Sequence, residues 1–121
     1  KGSTLIDDTY NANPDSSKKS IDLLSKYKKN TILVIGDMLE LGKYKKKLHK
    51  EVGEYAKANG INIVLGFGEL TKETIKAFGK KGIFFDSEES LKSYLINNIT
   101  SKDVILIKGS RGMKMERFIN V

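Results

Sequence analysis

Two stretches of the sequence concentrate groups able to hold a ligand. The first, Asp7-Asp8-Thr9-Tyr10-Asn11-Ala12-Asn13-Pro14, brings together two carboxylates, an aromatic ring and two amides. Asn11 and Asn13 suit ribose or backbone groups, the flat face of Tyr10 suits a base or an apolar partner, and Asp8 could orient a ligand or satisfy free helix N–H groups. Asn13 before Pro14 equally suits a helix N-cap, whose side chain satisfies N–H groups that have no partner inside the helix. The second, Lys108-Gly109-Ser110-Arg111-Gly112, sets two cations and a hydroxyl among glycines that permit close backbone approach. That set fits phosphate or carboxylate, which a guanidinium holds through two parallel hydrogen bonds. A structural ion pair for Arg111 is the alternative. Between them, Asp37 and Glu40 in Gly36-Asp37-Met38-Leu39-Glu40-Leu41-Gly42 could serve a metal or acid–base chemistry, or form a polar turn with Met38 and Leu39 tucked inward. Gly66-Phe67-Gly68 is similar to the opening of a dinucleotide fingerprint, but Thr71 holds the third glycine position, so a tight strand-to-helix turn is expected. His49, among Lys46, Lys47 and Lys50, reads as a surface or partly packed residue rather than a base.

The elements that must position these groups follow from hydrophobic patterning. Apolar runs at 4–6, 31–35, 61–65, 83–85 and 104–107 are continuous, as in strands covered on both faces. Helical spacing separates them: Ile21, Leu24 and Lys28 with Leu23 and Tyr27 beside; Leu48, Val52, Tyr55 and Ala56; Leu70, Thr74, Ala77 and Phe78; Leu91, Tyr94, Leu95 and Asn98. Asp86 with Glu89 fits a capping box, Gly60 and Gly79 fit left-handed helix ends, and 113–119 reads as a last short helix. Strict strand–helix alternation predicts an α/β fold with a doubly wound parallel sheet and helices on both faces. Ligands of such sheets bind outside the carboxyl ends of the strands, where every group above except His49 falls.

Composition narrows the reading. With 121 residues, 39% of them hydrophobic, the chain can bury one core, so 1–121 is expected to be a single domain. No apolar run approaches the roughly 18 residues of a membrane-spanning helix. The lack of cysteine rules out disulfides, thiolate metal sites and a cysteine nucleophile, and fits a reducing cytoplasm; a lone histidine rules out a multi-histidine metal site. The net charge of +7 comes from cations that, apart from Arg111 and Arg117, are lysines spread over predicted helices. That is a solvated surface rather than a nucleic-acid or membrane face. No G-x-x-x-x-G-K-[ST] occurs, since Gly42-Lys43 is followed by Tyr44 and Gly79-Lys80 by Lys81; the chain carries no phosphate loop of its own.

Taken in order, the 7–16 stretch, the Gly36 to Gly42 motif, His49-Lys50-Glu51-Val52-Gly53 and the segment from Lys108 to Arg117 resemble the C-terminal domain of the Mur ligases. Within that family they resemble the branch that adds D-alanyl-D-alanine to UDP-N-acetylmuramoyl-tripeptide. The resemblance spans nearly the whole chain; sister branches tend to have a histidine in the first motif, where Ala12 stands between Asn11 and Asn13. It implies a Rossmann-like, mostly parallel sheet with one antiparallel strand. It also implies a three-domain cytoplasmic ligase of peptidoglycan synthesis: an N-terminal UDP-sugar domain, a central ATPase domain working with ATP and Mg2+, and this chain closing over both. ATP phosphorylates the tripeptide carboxylate, and the dipeptide amine attacks the acyl phosphate. Asp8, Tyr10, Asn11 and Asn13 are then expected at the nucleotide or interdomain site, and Lys108, Ser110 and Arg111 at the substrate. Neither a catalytic residue nor a metal ligand is expected in this domain alone. A free-standing α/β module for nucleotide or nucleic acid is the alternative.

Overall fold

The computed structural model describes residues 4–9 and 12–119, except for the side chain of Arg111. The assignments made above to Tyr10, Asn11 and the Arg111 side chain therefore lie outside the described residues. Strands β1 (Thr4–Asp8), β2 (Asn30–Gly36), β3 (Ile63–Phe67), β4 (Gly82–Phe85) and β5 (Asp103–Lys108) alternate with helices α1 (Pro14–Ser25), α2 (Lys45–Ala58), α3 (Thr71–Phe78) and α4 (Glu88–Asn98). Short 3-10 turns occupy Gly42–Tyr44, Arg111–Met113 and Met115–Phe118. The last two replace the helix expected over 113–119, because Lys114 between them is left-handed at φ 51°.

The sheet order is β1-β5-β2-β3-β4, and every pairing is parallel. The antiparallel strand implied by the resemblance is not found among the described residues. The chain steps from β1 to β4 with α1, α2 and α3 on one face, then returns through α4 on the other and inserts β5 between β1 and β2. Side chains alternate accordingly. Leu33, Ile35, Val104 and Leu106 meet Ile21, Leu24, Val52 and Ala56 on the first face. Ile32, Val34, Ile105 and Ile107 meet Leu91, Leu95, Met115 and Phe118 on the second. Central β2 and β5 are thus covered on both faces, which is why their runs read as unbroken.

The edge strands differ from expectation. Leu5 and Asp7 of β1 are exposed, because α4 packs on β3 and β4 and the closing turn packs on β5, short of β1; Ile83 of edge strand β4 is exposed as well. Ile61 and Asn62 precede β3 instead of belonging to it; Asn62 Oδ1 accepts the backbone N–H of Thr31 at 2.9 Å and aligns the strand start. The buried stripe of α1 is Ser17, Ser20, Ile21 and Leu24; Leu23 and Tyr27 face solvent, and Lys28 lies beyond the helix. Asn13 caps α1 as expected, in a reciprocal pair with Ser16 at 2.8 and 3.1 Å. The cap of α4 is Ser87, which accepts from the Ser90 N–H, rather than Asp86. Gly60 and Gly79, both at positive φ, follow the ends of α2 and α3.

Candidate functional site

A parallel sheet opens all its carboxyl ends on one edge, so Asp8, Asp37, Gly68 and Lys108 meet there. Lys108 ends β5 in register with Asp8 on one side and Ile35 on the other. Its side chain is 3% exposed, and Nζ lies 3.0 Å from Asp8 Oδ2. Ser20 of α1 donates its hydroxyl to that same oxygen. Asp8 itself is 36% exposed, so the pair hides its ammonium and shows its carboxylate. Lys108 is therefore part of the wall of the edge, its charge already matched.

Ser110 is also engaged. Its Oγ accepts the Leu39 N–H at 3.1 Å and donates to the Ala12 carbonyl at 3.4 Å, tying together the loops after β5, β2 and β1. The side chain of Asn13 serves the α1 cap, and Asp7 Oδ1 accepts both the N–H and the hydroxyl of Thr9.

In the second loop, Asp37 Oδ1 accepts the Thr71 N–H at 3.1 Å at the start of α3. Burial pushes its carboxyl above the ordinary carboxylate value, partly offset by the Thr71 and Leu70 N–H groups. Glu40 is exposed at φ 63°. Among the described residues no group of three or more His, Asp or Glu side chains could hold a metal ion. The shifted Asp37 couples stability to pH. Its folded form keeps a proton to higher pH than the unfolded chain, so its stability contribution falls as pH rises from 3.8 through the raised value. Asp37→Asn retains an oxygen acceptor for Thr71. Urea titrations from acid to neutral pH are expected to show the variant lacking that decline, and parallel curves would refute the assignment.

The glycines make room for protein rather than ligand. A Cβ on Gly68 would stand 2.5 Å from Asp37 Oδ1, and one on Gly66 2.7 Å from Thr71 Oγ1, so this is the tight turn expected. A Cβ on Gly109 would stand 2.2 Å from Met115 Cγ, and one on Gly36 2.8 Å from its Sδ. Met115, buried under both strand ends, fills the space that the sequence offered for close ligand approach.

His49 is fully buried, contrary to the expectation of a surface or partly packed residue. Its Nδ1 donates to the Lys45 carbonyl at 2.7 Å, and its Nε2 accepts the Met38 N–H at 2.9 Å. A ring used this way is the neutral Nδ1–H tautomer. The second loop also walls an open cleft of about 520 Å3, lined by Met38, Leu39, Leu41, Lys43, Lys45 and Leu70 among others. Nothing in the composition of these residues announces the cleft; the glycine-bounded motif was its one signal.

The family model of the Mur ligase, glutamate ligase domain matches residues 1–111. The chain belongs to the Mur ligase family. UDP-N-acetylmuramoyl-tripeptide--D-alanyl-D-alanine ligases of Buchnera aphidicola subsp. Acyrthosiphon pisum and Escherichia coli are each 38% identical over 117 residues, which is 95% of this chain and 26% of the relative. The crystal structure of MurF ligase from Thermotoga maritima in complex with ADP has a TM-score of 0.86 at 31% identity, over 98% of this chain and 27% of that one. The chain spans about a quarter of the length of these Mur ligases, as their C-terminal domain. Nothing in the match supports a free-standing nucleotide- or nucleic-acid-binding module.

Proposed function

We propose that this Mur ligase domain belongs to an ATP-dependent cytoplasmic ligase that joins D-alanyl-D-alanine to UDP-N-acetylmuramoyl-tripeptide in peptidoglycan synthesis. The observation that carries this reading is the 38% identity to ligases of that name over 95% of the chain. The reaction phosphorylates the tripeptide carboxylate with ATP; the dipeptide amine then attacks the acyl phosphate and expels phosphate. An acyl phosphate must be kept from water and the amine held in line, which a closing domain accomplishes. ATP and Mg2+ are engaged by the central ATPase domain and the UDP-sugar by the N-terminal domain. Residues 1–121 alone, without a phosphate loop, neither hydrolyse ATP nor ligate.

The half-exposed carboxylate of Asp8 fits a ribose hydroxyl, and Tyr10 and Asn11 belong to the same nucleotide-facing loop, which Asn13 fixes to α1. Lys108 and Ser110 hold the opposite loop in place, leaving Arg111 to grip the dipeptide carboxylate. Arg111→Lys in the whole enzyme removes the two-pronged contact and is expected to raise KM for the dipeptide roughly tenfold with little change for ATP. A rise for ATP instead moves Arg111 to the nucleotide, and no change in either makes it a structural residue.

A further inference from the structure

We propose that buried His49 is a positioning residue for the ligand edge, acting through the 37–41 loop on the loop that carries Arg111; this rests on the function proposed above. The loop needs anchoring, since Glu40 adopts a positive φ of 63° without being glycine. Two consecutive N–H groups supply the anchors. Met38 N–H donates inward to His49 Nε2 at 2.9 Å, and Leu39 N–H donates outward to Ser110 Oγ at 3.1 Å. Ser110 continues to the Ala12 carbonyl beside the nucleotide-facing loop, while Lys45 fixes the tautomer that leaves Nε2 free to accept. Met38 is itself fully buried, with Ser17 donating to its sulfur at 3.6 Å. A hydrogen-bonded chain thus runs from α2 to the loops after β2, β5 and β1. An apolar side chain of similar volume would leave the Met38 N–H buried without a partner.

The test uses the whole ligase with His49→Leu, His49→Gln, Ser110→Ala and the Leu/Ala double variant, reading kcat, KM for each substrate, the unfolding midpoint and exchange of the Leu39 amide. His49→Leu and Ser110→Ala are each expected to lower kcat/KM for the dipeptide roughly fivefold to tenfold, as loss of one hydrogen bond implies. His49→Gln, whose amide oxygen can accept from Met38, is expected to recover most of it. The double variant is expected to fall no further than the worse single one, because both act on one loop. Leu39 exchange is expected to speed up in His49→Leu whether or not the enzyme turns over. Unchanged kcat/KM in Ser110→Ala, or losses that multiply in the double variant, would overturn the inference. If His49→Leu does not fold, His49→Gln and Ser110→Ala decide it alone. A wild-type enzyme that fails to ligate overturns the proposed function instead, and Leu39 exchange still decides the positioning.

Discussion

Gly53→Ala is expected to destabilise the domain by roughly 3 kcal/mol, the upper end of what overpacking costs. The new Cβ would stand 2.2 Å from the carbonyl oxygen of Thr74 and 3.0 Å from Ala77 Cβ, where α2 and α3 cross. In an exposed helix the same change would gain about 1 kcal/mol from propensity. Here the obstacle is backbone. Thr74 is fully buried, and its hydroxyl donates to the His49 carbonyl at 2.9 Å, so relief requires the two helices to separate. Urea unfolding measures the outcome, and a variant as stable as the parent would show that the crossing yields without cost.

The Asp8–Lys108 pair is expected to respond unequally to loss of either partner. Asp8→Ala leaves an ammonium 3% exposed with no counter-charge, and the penalty for such an orphaned buried ion is about 3–5 kcal/mol. Lys108→Met removes the buried charge, keeps most of the volume, and leaves a carboxylate already 36% exposed that water can solvate. It is expected to cost about 1–2 kcal/mol, since buried pairs replaced by apolar groups lose little. Combining Lys108→Met with Asp8→Ala is expected to recover part of the larger loss. Equal penalties for the two single variants would mean that water reaches Nζ and that the pair is not buried in solution.

What the sequence revealed depends on where each element lies. Strands β2 and β5 were legible because both faces are covered, so Ile32 to Ile35 and Val104 to Ile107 are apolar without interruption. Strand β1 was legible as a strand from its 4–6 run but not as an edge strand, because Leu5 and Asp7 face solvent where two-sided cover was expected. The α1 cap was written locally in Asn13-Pro14, whereas Asp86 and Ser87 offered two caps for α4 and only the backbone conformation chose Ser87. The strand-end loops were located correctly, but their contacts were hidden. Lys108 finds Asp8 across the whole chain, and Gly109 faces Met115 rather than a ligand. The burial of His49 is not legible in the sequence because its partners are main-chain groups of Met38 and Lys45, which leave no trace in residue types. Its helix turns the stripe His49, Val52, Gly53 and Ala56 inward, one residue on from Leu48.

In the function proposed above, this edge completes an amide ligase by closing over ATP and dipeptide. The direct measurement supplies UDP-N-acetylmuramoyl-tripeptide, D-alanyl-D-alanine, ATP and Mg2+ to the whole enzyme and to the enzyme truncated before residue 1. The whole enzyme is expected to form the new amide with one ADP and one phosphate released per bond, and the truncated enzyme to form none. Ligation that persists at an unchanged rate without residues 1–121, or a whole enzyme that forms no amide bond with this dipeptide, would contradict it.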